Sequence, residues 1–289
     1  MIRKSPVIEG RVRVGIGGWN YEPWRGTFYP RGTPQSQELP YASRQVTSIE
    51  INSTFYRLQK PAIFAKWRQA TPDGFVFSIK APRFIVHRKD LASAATPVKR
   101  FISSGITELR SKLGPILWQL PPTKQFDEAE IGAFLALLPA SADGLPLRHA
   151  LDIRHPSFLN PEFIGIARAH GVAVVLEDDD THPACADLTS IFVYARLRRS
   201  RASVATGYST GALKRWAARA KTWARGKEPA DLPRIAPRST APAPARDVFI
   251  YFINGAKERA PAAAAKLLAY LGGSARTAAG SRGPSASRC

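Results

Sequence analysis

Ten polar side chains fall at or just beyond the ends of apolar runs: Glu50, Asn52, Lys80, Gln119, Asp152, Arg154, His155, Asp178, Arg196 and Asn254. Lys80, Arg154 and Arg196 are cations, and a guanidinium grips a carboxylate or phosphate through two parallel hydrogen bonds. If the runs converge, the ligand they suit is a small anionic molecule. Glu50, Asp152 and Asp178 either neutralise these cations or act as general acid and base, provided burial pulls their pKa values apart. Lys80 completes the catalytic candidates, more as an anion partner than as a Schiff-base nucleophile. Asn52 and Gln119 would orient the ligand, and Arg83, shortly after Lys80, adds a further cation.

Aromatic residues accompany them. Trp19, Tyr21 and Trp24 follow the first apolar run, and Phe55 and Tyr56 follow the second. Such rings either stack on a base or sugar or close the mouth of the site by packing. The run Glu177-Asp-Asp-Asp180-Thr-His182 has metal-ligand chemistry alongside Asp152, His155 and Glu50, yet its spacing selects no metal, so neither metal nor cofactor is expected. Gly15-Ile-Gly17-Gly18-Trp-Asn20 begins like a dinucleotide fingerprint, but asparagine stands in the third glycine's place. The chain has no nucleophile elbow and no Walker loop.

Bringing residues so distant in sequence together requires a repeating scaffold. Apolar runs read as strands at about 12–17, 46–51, 75–80, 115–120, 147–153, 172–176, 191–197 and 248–253. Helical periodicity fills several gaps, at 62–69, 98–112, 127–138, 161–169 and 210–224, and again at 258–270. Eight such units predict an α/β fold, a (β/α)8 TIM-like barrel of mostly parallel strands, with an open doubly wound sheet as the rival. Side-chain alternation supports the barrel. Ser48, Glu50 and Asn52 share one row, as do Ser78 and Lys80, and Ala150, Asp152 and Arg154, while the opposite rows are aliphatic or aromatic. Small residues deep and charged residues late is the pattern of a barrel interior that opens at its carboxyl face.

The 289 residues suffice for one large domain over 1–271, with a Pro/Ala/Arg-rich surface insertion or linker at 227–246 and a disordered basic tail at 272–289. No apolar run is long enough for a membrane span and no secretory leader is visible, which leads us to expect a cytoplasmic protein without membrane contact. Two cysteines, Cys185 and Cys289, cannot build a disulfide framework or a cysteine-based zinc site. The net charge is +20, and residues 196–238 hold twelve Lys/Arg against two acids. That stretch is either a solvated arginine-rich face or a surface for nucleic acid, the alternative partner. A barrel that binds a ligand without converting it is the third possibility.

Five segments carry a family resemblance: 15–30 (GIGGWNYEPWRGTFYP), 48–57 (SIEINSTFYR), 75–83 (FVFSIKAPR), 112–122 (KLGPILWQLPP) and 154–158 (RHPSF). Together they resemble the domain of unknown function 72, or YecE-like, family over about residues 15–271. The resemblance implies a TIM-like barrel and brings no established activity. Two departures stand out. Where the family tends to read Tyr-x-Arg-Leu-His-Gly, this chain has Tyr194-Ala-Arg196-Leu-Arg198-Arg199, and Asp152 stands where a glutamate is usual before Arg-His-Pro.

Overall fold

The computed structural model describes residues 9–237 and 244–272. Its main sheet is parallel throughout, with strands β1 (Val12–Gly17), β2 (Ser48–Ile51), β3 (Val76–Lys80), β4 (Leu113–Gln119), β5 (His149–Asp152), β7 (Phe192–Leu197) and β8 (Asp247–Phe252). Between β5 and β7 runs β6, split at Val175 into Ala173–Val174 and Leu176–Asp178. The first piece of β6 pairs with β5 and the second with β7. These pieces are the two ends of the sheet, so the sheet returns on itself and forms a barrel closed but for the break at Val175. All eight expected strands are present.

Seven longer helices surround it: α1 (Gln35–Gln45), α2 (Pro61–Gln69), α3 (Ala95–Ile102), α4 (Glu128–Ala136), α5 (Pro161–Ala169), α6 (Thr210–Ala224) and α7 (Ala260–Leu271). Asp127, Asn160 and Ser209 cap α4, α5 and α6 by accepting a backbone N–H from the first turn. The helix α1 was not expected, because Pro40 interrupts it and its composition is polar. The expected helix over 98–112 is two pieces instead, parted at Gly105, whose φ of 103° cannot continue a helix. Asp143-Gly144, both with positive φ, turn a small hairpin (Ser141–Ala142 with Leu145–Pro146) that the apolar pattern does not reveal.

The rows of each strand divide as their chemistry dictates. Ile49, Ile51, Phe77, Ile79 and Leu151 are buried outside the sheet beneath the helices. Each such side chain contributes about 1.5–3 kcal/mol by leaving water. The inward row is built in tiers. At the floor Arg148 lies over the rings of Phe249 (5.0 Å) and Phe192 (5.9 Å). In the middle Tyr251 Oη shares hydrogen bonds with Ser48 Oγ (2.7 Å) and Ser78 Oγ (2.6 Å). The Tyr251 ring fits because Gly15 has no side chain: a Cβ there would stand 2.2 Å from the Ser48 carbonyl oxygen and 3.0 Å from Tyr251. The charged tier lies above.

Of the expected insertion, residues 227–237 are irregular, and the N–H groups of Ile235 and Ala236 donate to the Asp187 carboxylate. Residues 238–243, and the expected tail beyond Gly272, lie outside the described residues. Among the described residues no helix is long and apolar enough to cross a membrane.

Candidate active site

Arg196 is the centre of the upper tier. It is 2% exposed and reaches three carboxylates from three other strands. Its Nε donates to Glu50 Oε2 (3.2 Å) and Nη2 to Glu50 Oε1 (3.2 Å), while Nη1 donates to Asp152 Oδ2 (2.9 Å), Glu177 Oε1 (2.7 Å) and Gln119 Oε1 (3.3 Å). Burial opposes its charge, but Glu50, Glu177 and Asp152 hold the guanidinium firmly protonated. Arg154 extends the network, with Nη2 at 3.2 Å from Asp152 Oδ2 and 3.7 Å from Glu177 Oε1.

Both oxygens of Glu50 are engaged. Tyr194 Oη donates to its Oε2 (2.7 Å), so Tyr194 and Arg196 together occupy both oxygens. Glu50 is thus a counter-ion of Arg196. Asp152 keeps Oδ1 buried without a hydrogen-bond partner, and Arg154 Nε is likewise unsatisfied. Such atoms are costly to bury unless something completes them.

Lys80 stands at the same rim. Its Nζ is 3.9 Å above the Phe55 ring and makes no hydrogen bond among the described residues. Burial, and then the neighbouring Arg196, push its pKa down to about 8. Phe55 also meets the His87 imidazole (centroids 5.6 Å apart). Burial lowers the His87 pKa, helped by Arg83, Lys80 and Arg154.

Asp178 is a correction. On β6 Glu177 lies in register with Arg196, whereas Asp178 lies in register with Leu197 and points outward. There it accepts from Tyr208 Oη (3.2 Å) and faces Arg199 (3.6 Å). The inward carboxylate is Glu177, which sequence reading missed although it continues the row of Ala173 and Val175. Burial and the nearby Asp152 raise the Glu177 pKa to about 7, against the pull of its arginines.

The remaining candidates divide. Asn52 lies near the rim, with Nδ2 close to Gly17, and Tyr56 is 70% exposed beyond it. His155 instead accepts the Ser157 N–H and binds Ser157 Oγ (2.8 Å), which shapes the turn after β5. Trp24 is fully buried and donates Nε1 to the Lys257 carbonyl, and Trp19 packs against Trp67 and Phe77. Tyr21 sits beneath Lys257 Nζ at 4.4 Å. Trp24 therefore packs in the core, while Trp19 and Tyr21 are half-buried. Asn254 is exposed with φ at 58°, a turn residue outside the cluster.

At the position of the family's strand-seven histidine, Arg198 Nη1 meets Asp179 (2.9 Å), His182 Nδ1 (3.2 Å) and Glu177 Oε2 (3.6 Å). Among the described residues no group of three or more His, Cys, Asp or Glu is placed to hold a metal ion. Within the basic stretch, Arg196, Arg198, Arg199, Arg219, Arg225 and Arg234 are all ion-paired.

A parallel α/β barrel with one buried arginine among three carboxylates at its carboxyl end defines the class of protein. Within that class the chain belongs to the family described as Protein of unknown function DUF72, which matches residues 13–287. It is 30% identical over 149 residues to UPF0759 protein YecE of Escherichia coli (strain K12), covering 51% of this chain and 50% of that protein. With UPF0759 protein YunF of Bacillus subtilis (strain 168) it shares 25% over 158 residues, 53% of this chain and 54% of that protein. The chain thus matches about half the length of these curated relatives. Solved DUF72 family proteins share the fold. The one from Thermotoga maritima superposes with a TM-score of 0.68 at 22% identity, covering 91% of this chain and 99% of that one. One from Enterococcus faecalis gives 0.66 at 17% identity, with 90% and 95% covered.

Proposed function

We propose that the chain is a cytoplasmic enzyme acting by acid/base chemistry on a small phosphorylated or carboxylated substrate bound at the carboxyl end of the barrel. The observation that carries this reading is Lys80: a largely buried lysine at the rim whose ammonium makes no hydrogen bond among the described residues, beside the buried, unsatisfied Arg154 Nε and Asp152 Oδ1. An anion received by Lys80 and Arg154 completes the donors, and Asp152 Oδ1 is left to accept a substrate proton. Glu177, protonated over part of the neutral range, is the matching acid. Arg196 and Glu50 position these groups, and Gln119 fixes the guanidinium plane. Nucleic-acid binding through residues 196–238 is the weaker reading, because half of that stretch's cations are already engaged.

The test is a melting-temperature screen with small phosphorylated and carboxylated compounds, glycerol 3-phosphate and malate among them, followed by product analysis. At least one compound should stabilise the wild type, leave Lys80→Met unshifted and be converted. If no compound stabilises the wild type, or Lys80→Met responds equally, the reading fails.

A further inference from the structure

On the opposite side of β6 from Glu177 lies a cavity of about 380 Å³. Asp178 lines it from the strand, Arg199, Arg201 and Tyr208 from the loop after β7, and Arg215, Trp216 and Arg219 from α6. Arg199 is compensated by Asp178 (3.6 Å) and Asp180 (2.9 Å), and Arg219 by Asp231 (2.8 Å). The side chains of Arg201 and Arg215 have neither an ion-pair nor a hydrogen-bond partner among the described residues. Arg215 acts on Asp231 only at longer range, so two guanidiniums at one concave surface lack a direct counter-ion among the described residues.

The walls are fixed in advance of any ligand. Arg219 stacks 4.4 Å from the Trp216 ring centroid while gripping Asp231 through Nε and Nη2. Tyr208 Oη accepts the Arg199 N–H (2.8 Å) and donates to Asp178 Oδ2 (3.2 Å), and Arg201 N–H donates to the Gly207 carbonyl (2.7 Å). Gly207 has φ at +69°, and a Cβ there would come within 3.0 Å of Arg259 and Ser200, so the turn requires glycine. The amino end of α6, capped by Ser209, opens onto the same cavity and adds its partial positive charge. Loops following the seventh strand are a common seat for phosphate in β/α barrels.

We infer that this cavity is a second anion site, distinct from the barrel interior, which receives a phosphate monoester or pyrophosphate group. Two guanidiniums without a direct counter-ion suit the charge of about −1.5 to −2 that a phosphate monoester carries near neutral pH, and a single carboxylate would pair directly with only one of them. Alternation along β6 keeps the sites apart, since Glu177 faces inward and Asp178 outward.

Calorimetric titration of the full chain with inorganic phosphate and with pyrophosphate at low salt tests the site. Saturable binding is expected to persist in Lys80→Met, which removes the barrel site, and to weaken about tenfold or more when Arg201→Ala/Arg215→Ala is added in that background. Both arginines are exposed, so the added double substitution should leave the melting temperature unchanged, which a thermal scan verifies. Absence of saturable binding to the wild type, undiminished binding on adding the double substitution, or loss of binding in Lys80→Met would each overturn the assignment.

Discussion

Arg196 Nη1 and Glu177 Oε1 lie 2.7 Å apart, on neighbouring strands that place the two residues in register. The pair is buried and shares its space with Glu50 and Asp152, so its energetics depend on all four groups together.

Arg196→Met would leave three carboxylates inside the barrel without their central cation. Removing one partner from a buried ionic network costs about 3–5 kcal/mol, because the remaining charge stays desolvated. Urea unfolding at neutral pH should show a loss of this size, partly recovered by adding Glu50→Gln. A loss below about 1 kcal/mol, the scale of an exposed ion pair, would mean that water already solvates the cluster.

Stability should fall with rising pH because of Glu177. Its folded pKa of about 7 exceeds the ordinary 4.5, so between these values the native state binds more protons than the unfolded chain. The stabilisation is fully present below 4.5 and is lost as pH rises through 7. Unfolding free energies of the wild type and Glu177→Gln across this window should show the wild type losing ground relative to the variant. Parallel curves would place the proton elsewhere in the cluster.

Gly15→Ala should disturb the barrel from its middle tier. The added methyl meets a backbone carbonyl rather than a flexible side-chain tip, and strain of this kind costs about 1–3 kcal/mol. Gly132→Ala, on an open face of α4, is the control and should be neutral or mildly stabilising. Chemical denaturation of the two variants separates the outcomes, and equal stability would refute the packing argument.

Much of this architecture was legible because alternation along a strand is a geometric necessity. Ser48 with Glu50, Ser78 with Lys80, and Ala150 with Asp152 all project as their spacing demands. The same rule, carried two residues further along β6, would have selected Glu177. It failed there because the apolar run ends at Leu176, and four consecutive acids give no pattern by which to choose a face. Trp24 and Asn254 were misjudged for another reason: sequence shows that a residue follows a strand, not whether the chain then folds it into the core or out into water. His87 lay beyond reach altogether, since only the short helix Arg83–Val86 carries it back towards Lys80.

The interruption at Val175 makes β6 the seam of the cylinder, where two paired residues meet one neighbour and three meet the other. Fewest ladder contacts hold the wall there, so local opening is cheapest at this point. Glu177 rides on the seam while Glu50 is anchored between two intact neighbours. Opening at this seam would part Asp152 on β5 from Arg196 while Glu177 stays beside Arg196 on the paired strands, so the carboxylate that leaves the cluster first is Asp152.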